Sequence, residues 1–283
     1  MSGLRIYSGG WPVVVNERMA HEIYRLRFRA APIAAAIQPG QFVMVRMPDR
    51  TDPLLGRAFA LYDTVEESGK GVAVDIVYHV IGKMTGLMAK LRANDMVEVF
   101  GPLGMPFPDY GGIAHLAAIA GGIGQTPFLA LLKRVLGFKG YGGAAVRREV
   151  QSASFYYGAR CGSYLAGLGD FAMPDVRVIL ATDDGSRGHH GFVTGAVAQD
   201  QQSGAFPDST RWVGCGPQVM MKSLAALAAR CGVSCDLSLE TPMACGAGIC
   251  FSCVTRLRTG AGWDYRRVCI EGPVFAADQL IFD

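Results

Sequence analysis

The stretch "HLAAIAGGIGQTPFLALLKRVL", His115 to Leu136, constrains this chain more than any other. It opens with an apolar run that does not alternate with polar residues, which is how a strand buried on both faces reads. Glycines follow, and then apolar residues at helical spacing: Phe128, Leu131, Leu132 and Val135. The same strand, glycine turn and helix return in "TRWVGCGPQVMMKSLAALAARC", Thr210 to Cys231. Between them, "SASFYYGAR" and "VRVILATDD" are buried-type strands. Strands alternating with helices define a doubly wound, parallel α/β sheet, and such sheets bind ligands beyond the carboxyl ends of their strands.

The residues ahead of this unit have a different texture. "WPVVVNERM", "IYRLRFRA", "QFVMVRMP", "AFALYD", "VAVDIVYHV" and "DMVEVFGP" are short β-rich runs separated by Gly, Pro or Asp. Only "MTGLMAKLRAN" has helical spacing there. So many short strands need their edges hidden, which predicts a closed or nearly closed antiparallel β-barrel. After Ser234 the composition shifts again, toward cysteine and glycine. The 283 residues therefore divide into a barrel at 1–108, a doubly wound domain at 109–233 and a small cysteine module at 234–283.

A net charge of +3 with both signs interspersed, and no basic block, argues against nucleic acid. No apolar run nears the roughly 18 residues that span a bilayer, and "MSGLRIYSGG" lacks a signal-peptide core. The expectation is a cytoplasmic protein with no membrane contact.

Of the 8 cysteines, Cys161, Cys215, Cys231 and Cys235 are scattered, whereas Cys245, Cys250, Cys253 and Cys269 form a set. In a reducing compartment a clustered set points to metal rather than disulfides. Its spacing is C-x4-C-x2-C with a fourth cysteine after 15 intervening residues. Zinc sites come as two separated close pairs; the run seen here is the plant-type pattern for a 2Fe–2S cluster. Gly246, Ala247 and Gly248 give such a loop unhindered backbone whose amides can approach the sulfurs.

Gly121, Gly122 and Gly124 lie between an apolar strand and a helix, where phosphate can approach the positive helix end. The spacing is not G-x-G-x-x-G, but Gly214 to Pro217 repeats the logic at a later strand, and two such turns on one sheet predict a dinucleotide cleft. In "ATDDGSRG", Asp183 or Asp184 follows a strand, where a carboxylate binds ribose hydroxyls and repels a 2′-phosphate. That favours NAD(H), while Arg187 nearby is the kind of residue that holds NADPH. In the barrel, Arg57 in "GRAFALYD" could grip a pyrophosphate in two-pronged fashion beside aromatic Phe59. "YHVIGKMTGL" offers a second turn opening a helix. The five histidines show no metal spacing, and no Ser/His/Asp or paired-carboxylate arrangement is visible. No catalytic acid or base is nominated.

The motifs "LSLETPMACGAGICFSCVT" and "RVCIEGPVF", supported by "TDDGSRGHHGFVT" and "VFGPLGMPF", resemble the electron-transfer subunits of class 1B dihydroorotate dehydrogenases, within the ferredoxin–NADP reductase superfamily. The resemblance covers nearly the whole chain. It implies FAD held by Arg57, Ala58, Phe59 and Ala60, by the strand Val77, Tyr78 and His79, and by the turn Met84 and Thr85. It implies NADH at Gly121, Gly122, Gly124, Gln125 and Thr126 and at Gly214, Cys215, Gly216 and Pro217, with a 2Fe–2S cluster on Cys245, Cys250, Cys253 and Cys269. The short gap before Cys269 fits this type rather than oxygenase reductases, whose gap is much longer. Three positions depart from the family: Ala58 and Ala60 stand where Pro and Ser are usual, and Met84 precedes Thr85 where Gly is common.

The resemblance also implies a partner, an FMN-containing catalytic subunit that oxidises dihydroorotate, in a heterotetramer of two catalytic and two electron-transfer subunits. "GGIGQTP" and "FYYGAR" resemble sulfide dehydrogenase, NADH-dependent ferredoxin–NADP reductase and hydrogenase subunits as well. A diaphorase-type subunit serving one of those is the rival reading. A non-catalytic zinc or redox-sensing module that kept the fold is the rival from another class.

Overall fold

The computed structural model describes residues 5–260 and 262–282. Met1–Leu4, which begin the stretch inspected for an export signal, lie outside the described residues, as do Ala261 and Asp283.

The first sheet contains β1 (Tyr7–Ala20), β2 (Ile23–Arg29), β3 (Phe42–Arg46), β4 (Arg57–Ala60), β5 (Asp63–Glu67), β6 (Lys70–His79) and β7 (Met96–Leu103), in the order β4-β3-β7-β1-β2-β6-β5. Its pairings are antiparallel. β1 pairs with β7 through Tyr7–Pro12 and with β2 from Val13 onward, and irregularities at Val13/Val15 and Arg18/Ala20 bend it between the two tasks. The strands at the two ends of this order, β4 and β5, are consecutive in the chain. Leu61 and Tyr62 join them, the Leu61 N–H donating to Gln41 O (3.0 Å) and the Tyr62 N–H to Asp75 O (2.9 Å). The sheet thus rolls into a barrel around Val13, Leu26, Phe28, Val43, Val45, Val74, Ile76 and Val99.

Two helices attend the barrel rather than one. α1 (Ala31–Ala36) carries Pro32 in its first turn and buries Ile33 and Ala34, packing on β6. Its sequence, "APIAAA", is apolar all round and has no period to detect. α2 spans only Lys83–Met88, shorter than the spacing suggested.

The second sheet holds β8 (His115–Gly121), β9 (Ser152–Ala159), β10 (Val176–Thr182), β11 (His189–His190), β12 (Thr210–Cys215) and β13 (Cys235–Ser238), mutually parallel. All of β8 is buried, and its residues divide by a period of two. Leu116, Ala118 and Ala120 cluster with Phe128, Leu131 and Leu132 of α3 (Phe128–Val135); Ala117 and Ile119 cluster with Val197 of α4 (Val193–Gln202), Leu224 of α5 (Gln218–Cys231) and Trp212 of the neighbouring β12. Helices on both faces make the sheet doubly wound.

The cysteine segment grows out of this sheet. After β13 the chain leaves through the cysteine loop into β14 (Val254–Thr259) and β15 (Gly262–Arg267), then the short α6 (Val268–Glu271). It returns as β16 (Val274–Ala276), antiparallel on β13, and ends in β17 (Leu280–Ile281) against β14. Composition sets this segment apart at Ser234, but its first and fourth strands complete the edge of the parallel sheet. No described helix is long and apolar enough to cross a membrane.

Candidate functional site

β8 runs directly into a tight 3-10 turn, Gly122–Gln125, and β12 into Gly216 and Pro217 ahead of α5. The two turns lie backbone against backbone. A Cβ on Gly124 would stand 2.3 Å from the Cys215 carbonyl oxygen and 2.7 Å from the Gly216 nitrogen. Gly124→Ala is therefore expected to force the turns apart, lowering stability by about 1–3 kcal/mol and weakening NADH binding. Thermal melts and calorimetric titration check the two effects.

Gln125 is one of the expected dinucleotide contacts, and the structure buries its side chain. It is 0 % exposed, and neither amide atom has a hydrogen-bond partner. It points inward, and Thr126 is 7 % exposed, so the turn offers a ligand mainly glycine backbone. Burial foremost, then the Glu240 carboxylate, pushes the Cys215 thiol up to about 12, so that thiol is neutral at pH 7.

The two carboxylates after β10 part company. Asp184 accepts from the Ser186 N–H (2.9 Å) and hydroxyl (2.6 Å), while Ser186 Oγ accepts from the Gly162 N–H at 2.8 Å. Asp184 thus stitches the β9 and β10 loops together. Asp183 has no hydrogen bond or ion pair from its side chain among the described residues, and it is exposed. Arg187 lies beside Gly162 in the same loops. Asp183→Asn is expected to raise kcat/KM for NADPH about tenfold, or about 1.4 kcal/mol, with Asp184→Asn changing the preference little. Steady-state assays with a dye acceptor decide between them.

On the barrel side, β4 lies along β3 with Ala58 opposite Met44 and Ala60 opposite Phe42. Arg57 is exposed and donates to the Leu55 and Gly56 carbonyls at 3.0 and 3.1 Å, and Phe59 meets the Tyr78 ring edge-on. Within β6 the side chains of Val77 and Tyr78 are buried, with the Tyr78 hydroxyl donating to Asn16 Oδ1 (3.0 Å). His79 stays partly open, its Nε2 without a hydrogen bond and 3.6 Å from Glu22 Oε2. In α2 the Met84 side chain joins the barrel core. Thr85 Oγ1 accepts from the Ile81 and Gly82 N–H groups at 3.1 and 3.2 Å, shaping the turn. Met84 and Thr85 can therefore meet a ligand chiefly through backbone. The end of β6 adjoins the Gly122–Gln125 turn, so barrel and dinucleotide edge share one seam.

The cysteine loop closes the third side. Gly246 (φ +67°) has no room for a side chain, since a Cβ there would stand 2.7 Å from Met44 Cγ. Met44 is the residue opposite Ala58, so the loop rests on the strand beside β4. Arg267 donates to the Gly248 carbonyl (3.1 Å), and the Val268 N–H to the Cys253 carbonyl (2.9 Å), bringing α6 and Cys269 back to the loop. Among the described residues no three His, Cys, Asp or Glu side chains converge as a single ion would need. Cys250 has Cys245 as its cysteine neighbour and Cys269 has Cys253 first, with Cys245 also bearing on Cys269. Two irons, each with two protein thiolates, fit this arrangement. Cys253 and Cys269 are 2 % and 1 % exposed, whereas Cys250 is at the surface. The Ala247 N–H already points at Cys245 Sγ (3.4 Å). Ser252, followed by Cys245, pulls the Cys250 thiol down to about 6. Spacing alone did not single out Ser252, nor Thr241, whose buried hydroxyl lacks a partner at the entry to the loop.

A barrel, a doubly wound sheet and a four-cysteine loop meeting at one seam define an oxidoreductase of the flavin and iron–sulfur class. The sequence family described as the iron–sulfur cluster binding domain of dihydroorotate dehydrogenase B matches residues 240–281, and the oxidoreductase FAD-binding domain matches residues 11–107. The dihydroorotate dehydrogenase B (NAD+) electron transfer subunit of Caldanaerobacter subterraneus subsp. tengcongensis is 32% identical over 95% of this chain and 97% of its own. That of Geobacillus thermodenitrificans is 35% identical over 95% and 96%. The chain belongs to the family of dihydroorotate dehydrogenase B electron-transfer subunits. Its fold is also that of a solved NADH-dependent reduced ferredoxin–NADP oxidoreductase chain, with TM-score 0.80 and 23% identity over 99% of this chain and 91% of that one.

Proposed function

We propose that this chain relays electrons between NAD(H) and the FMN of a dihydroorotate-oxidising catalytic subunit, through FAD and a 2Fe–2S cluster. Net flow runs from dihydroorotate to NAD+, yielding orotate for pyrimidine synthesis in the cytoplasm. Bound FAD supplies the exchange between hydride transfer and single-electron transfer.

The residues divide the work. Arg57 to Ala60, Val77 to His79 and the Met84–Thr85 turn of the 1–108 unit hold the flavin, with the exposed Arg57 as its charged contact. Gly121 to Thr126 and Cys215 to Pro217 of the 109–233 unit admit the dinucleotide by backbone, and Asp183 reads its ribose. Cys245, Cys250, Cys253 and Cys269 of the 234–283 unit ligate the cluster. No side chain is assigned a proton, because hydride transfer needs none.

The contact of Gly246 with Met44 carries the reading, since it seats the cysteine loop against the neighbour of the flavin strand. Around the exposed Cys250, Ile249 (80 % exposed) and Phe251 (59 %) form an apolar rim suited to the catalytic partner, in a complex of two subunits of each kind. The test is anaerobic purification with assay of flavin, iron and sulfide, then bleaching by NADH. FAD with two irons and two sulfides per chain, and dihydroorotate oxidation only when the partner is added, is the expected result. A colourless or zinc-loaded chain overturns it.

A further inference from the structure

Ser252 sits between two of the cysteines, and its hydroxyl has three neighbours. The Ala244 N–H donates to it at 3.1 Å, Cys250 Sγ lies 3.2 Å away and the Pro242 carbonyl 3.5 Å. A hydroxyl has one proton to give, so Cys250 and Pro242 compete for it. An O···O separation of 3.5 Å is well beyond the ~2.5–3.0 Å of a good hydrogen bond. A thiolate ligand carries charge and takes the stronger bond. The proton therefore goes to the sulfur.

We propose that Ser252 sets the reduction potential of the 2Fe–2S cluster by donating this hydrogen bond to Cys250 Sγ. The inference rests on the assignment of the cluster to the four cysteines. An added electron increases negative charge on the ligand sulfurs, so a donor to sulfur stabilises the reduced form more than the oxidised one. The Ser252 hydroxyl lies against the exposed Cys250 rather than the buried Cys253 and Cys269, so it acts on the outer side of the set. The Ser252 backbone also supports Cys250 and survives any side-chain change, which isolates the hydroxyl as the variable. Ser252 is a positioning residue: it touches a ligand of the cluster rather than the irons.

The experiment compares the full chain with Ser252→Ala and Ser252→Thr, each assayed for iron and sulfide and then titrated with dithionite under electron paramagnetic resonance. Ser252→Ala is expected to lower the equilibrium constant for one-electron reduction about tenfold, a shift of about 59 mV, with Ser252→Thr close to wild type. Should Ser252→Ala load the cluster poorly, Ser252→Val against Ser252→Thr, alike in shape, carries the same expectation. An unchanged potential in an intact Ala or Val variant overturns the proposal, as does an equal shift in the Thr variant. A wild-type chain without two irons and two sulfides overturns the cluster assignment itself, and the proposal with it.

Discussion

Cys269→Ser is expected to abolish electron delivery to the catalytic partner while leaving NADH oxidation by a flavin-directed dye nearly intact. Cys269 is 1 % exposed and pairs with Cys253, 2 % exposed, in a core that includes Phe42, Met44 and Leu103 of the barrel. Water has little access to replace the lost ligand. Burial foremost, then the neighbouring Cys253, pushes the Cys269 thiol up to about 12, so the metal must displace its proton. Iron and sulfide analysis with parallel dye and partner assays reads the result. A Cys269→Ala variant, which offers no ligand atom, that still keeps two irons and two sulfides would remove Cys269 from the ligand set. Loss of dye reduction as well would mean that the module supports the flavin site structurally.

The second large effect lies at the seam between barrel and parallel sheet. Asp63, at the start of β5, accepts from Lys133 Nζ (2.6 Å) in α3, and from Lys139 Nζ (2.9 Å) and the Tyr141 hydroxyl (2.8 Å) in the loop after it. The carboxylate side chain is 13 % exposed and the two lysines 27 % and 17 %. Burial alone would raise the Asp63 carboxyl, but Lys139 and Lys133 outweigh it and hold it below its ordinary range. Asp63→Asn keeps the shape and leaves two ammonium groups facing a neutral amide. A partly buried ion triad broken on one side costs about 3–5 kcal/mol, read as a lower urea midpoint. Because the folded carboxyl is depressed, its contribution is fully present above the unfolded value of about 3.9 and is lost as pH falls through the folded value. The difference between wild type and variant should therefore hold near pH 7 and shrink below about pH 4. A difference that persisted unchanged in acid would place the stabilisation in packing rather than charge.

The seam also explains why a chain built from separate-looking units can keep three sites in register. Tyr62, which helps close the barrel, donates its hydroxyl to Asp170 Oδ2 (2.6 Å) in the parallel-sheet domain, and it is the residue immediately before Asp63 at the start of β5. The stretch "AFALYD" thus joins the proposed flavin strand to barrel closure and an interdomain anchor within a few residues. Damage at Asp63 is accordingly expected to reach flavin occupancy as well as stability.

The sequence by itself determined the layered plan and the metal chemistry. Non-alternating strands followed by glycine turns and helices could only be a parallel sheet wound on both faces, and C-x4-C-x2-C with one later cysteine named the cluster type. Both are local properties: a period of two or 3.6, or a spacing along one loop, is set by backbone geometry and needs no knowledge of the rest of the chain. What the tertiary structure alone decided are relations across long separations. It buried the Gln125 side chain, gave Asp184 to Ser186 and left Asp183 open, buried Cys253 and Cys269 while leaving Cys250 exposed and Cys245 between, and returned Val274–Ala276 to the parallel sheet. Asp63 and Lys139 stand 76 residues apart in the chain and in contact in the fold. Which charge is buried, and against which partner, follows from distances through space, and those exist only once the chain has closed on itself.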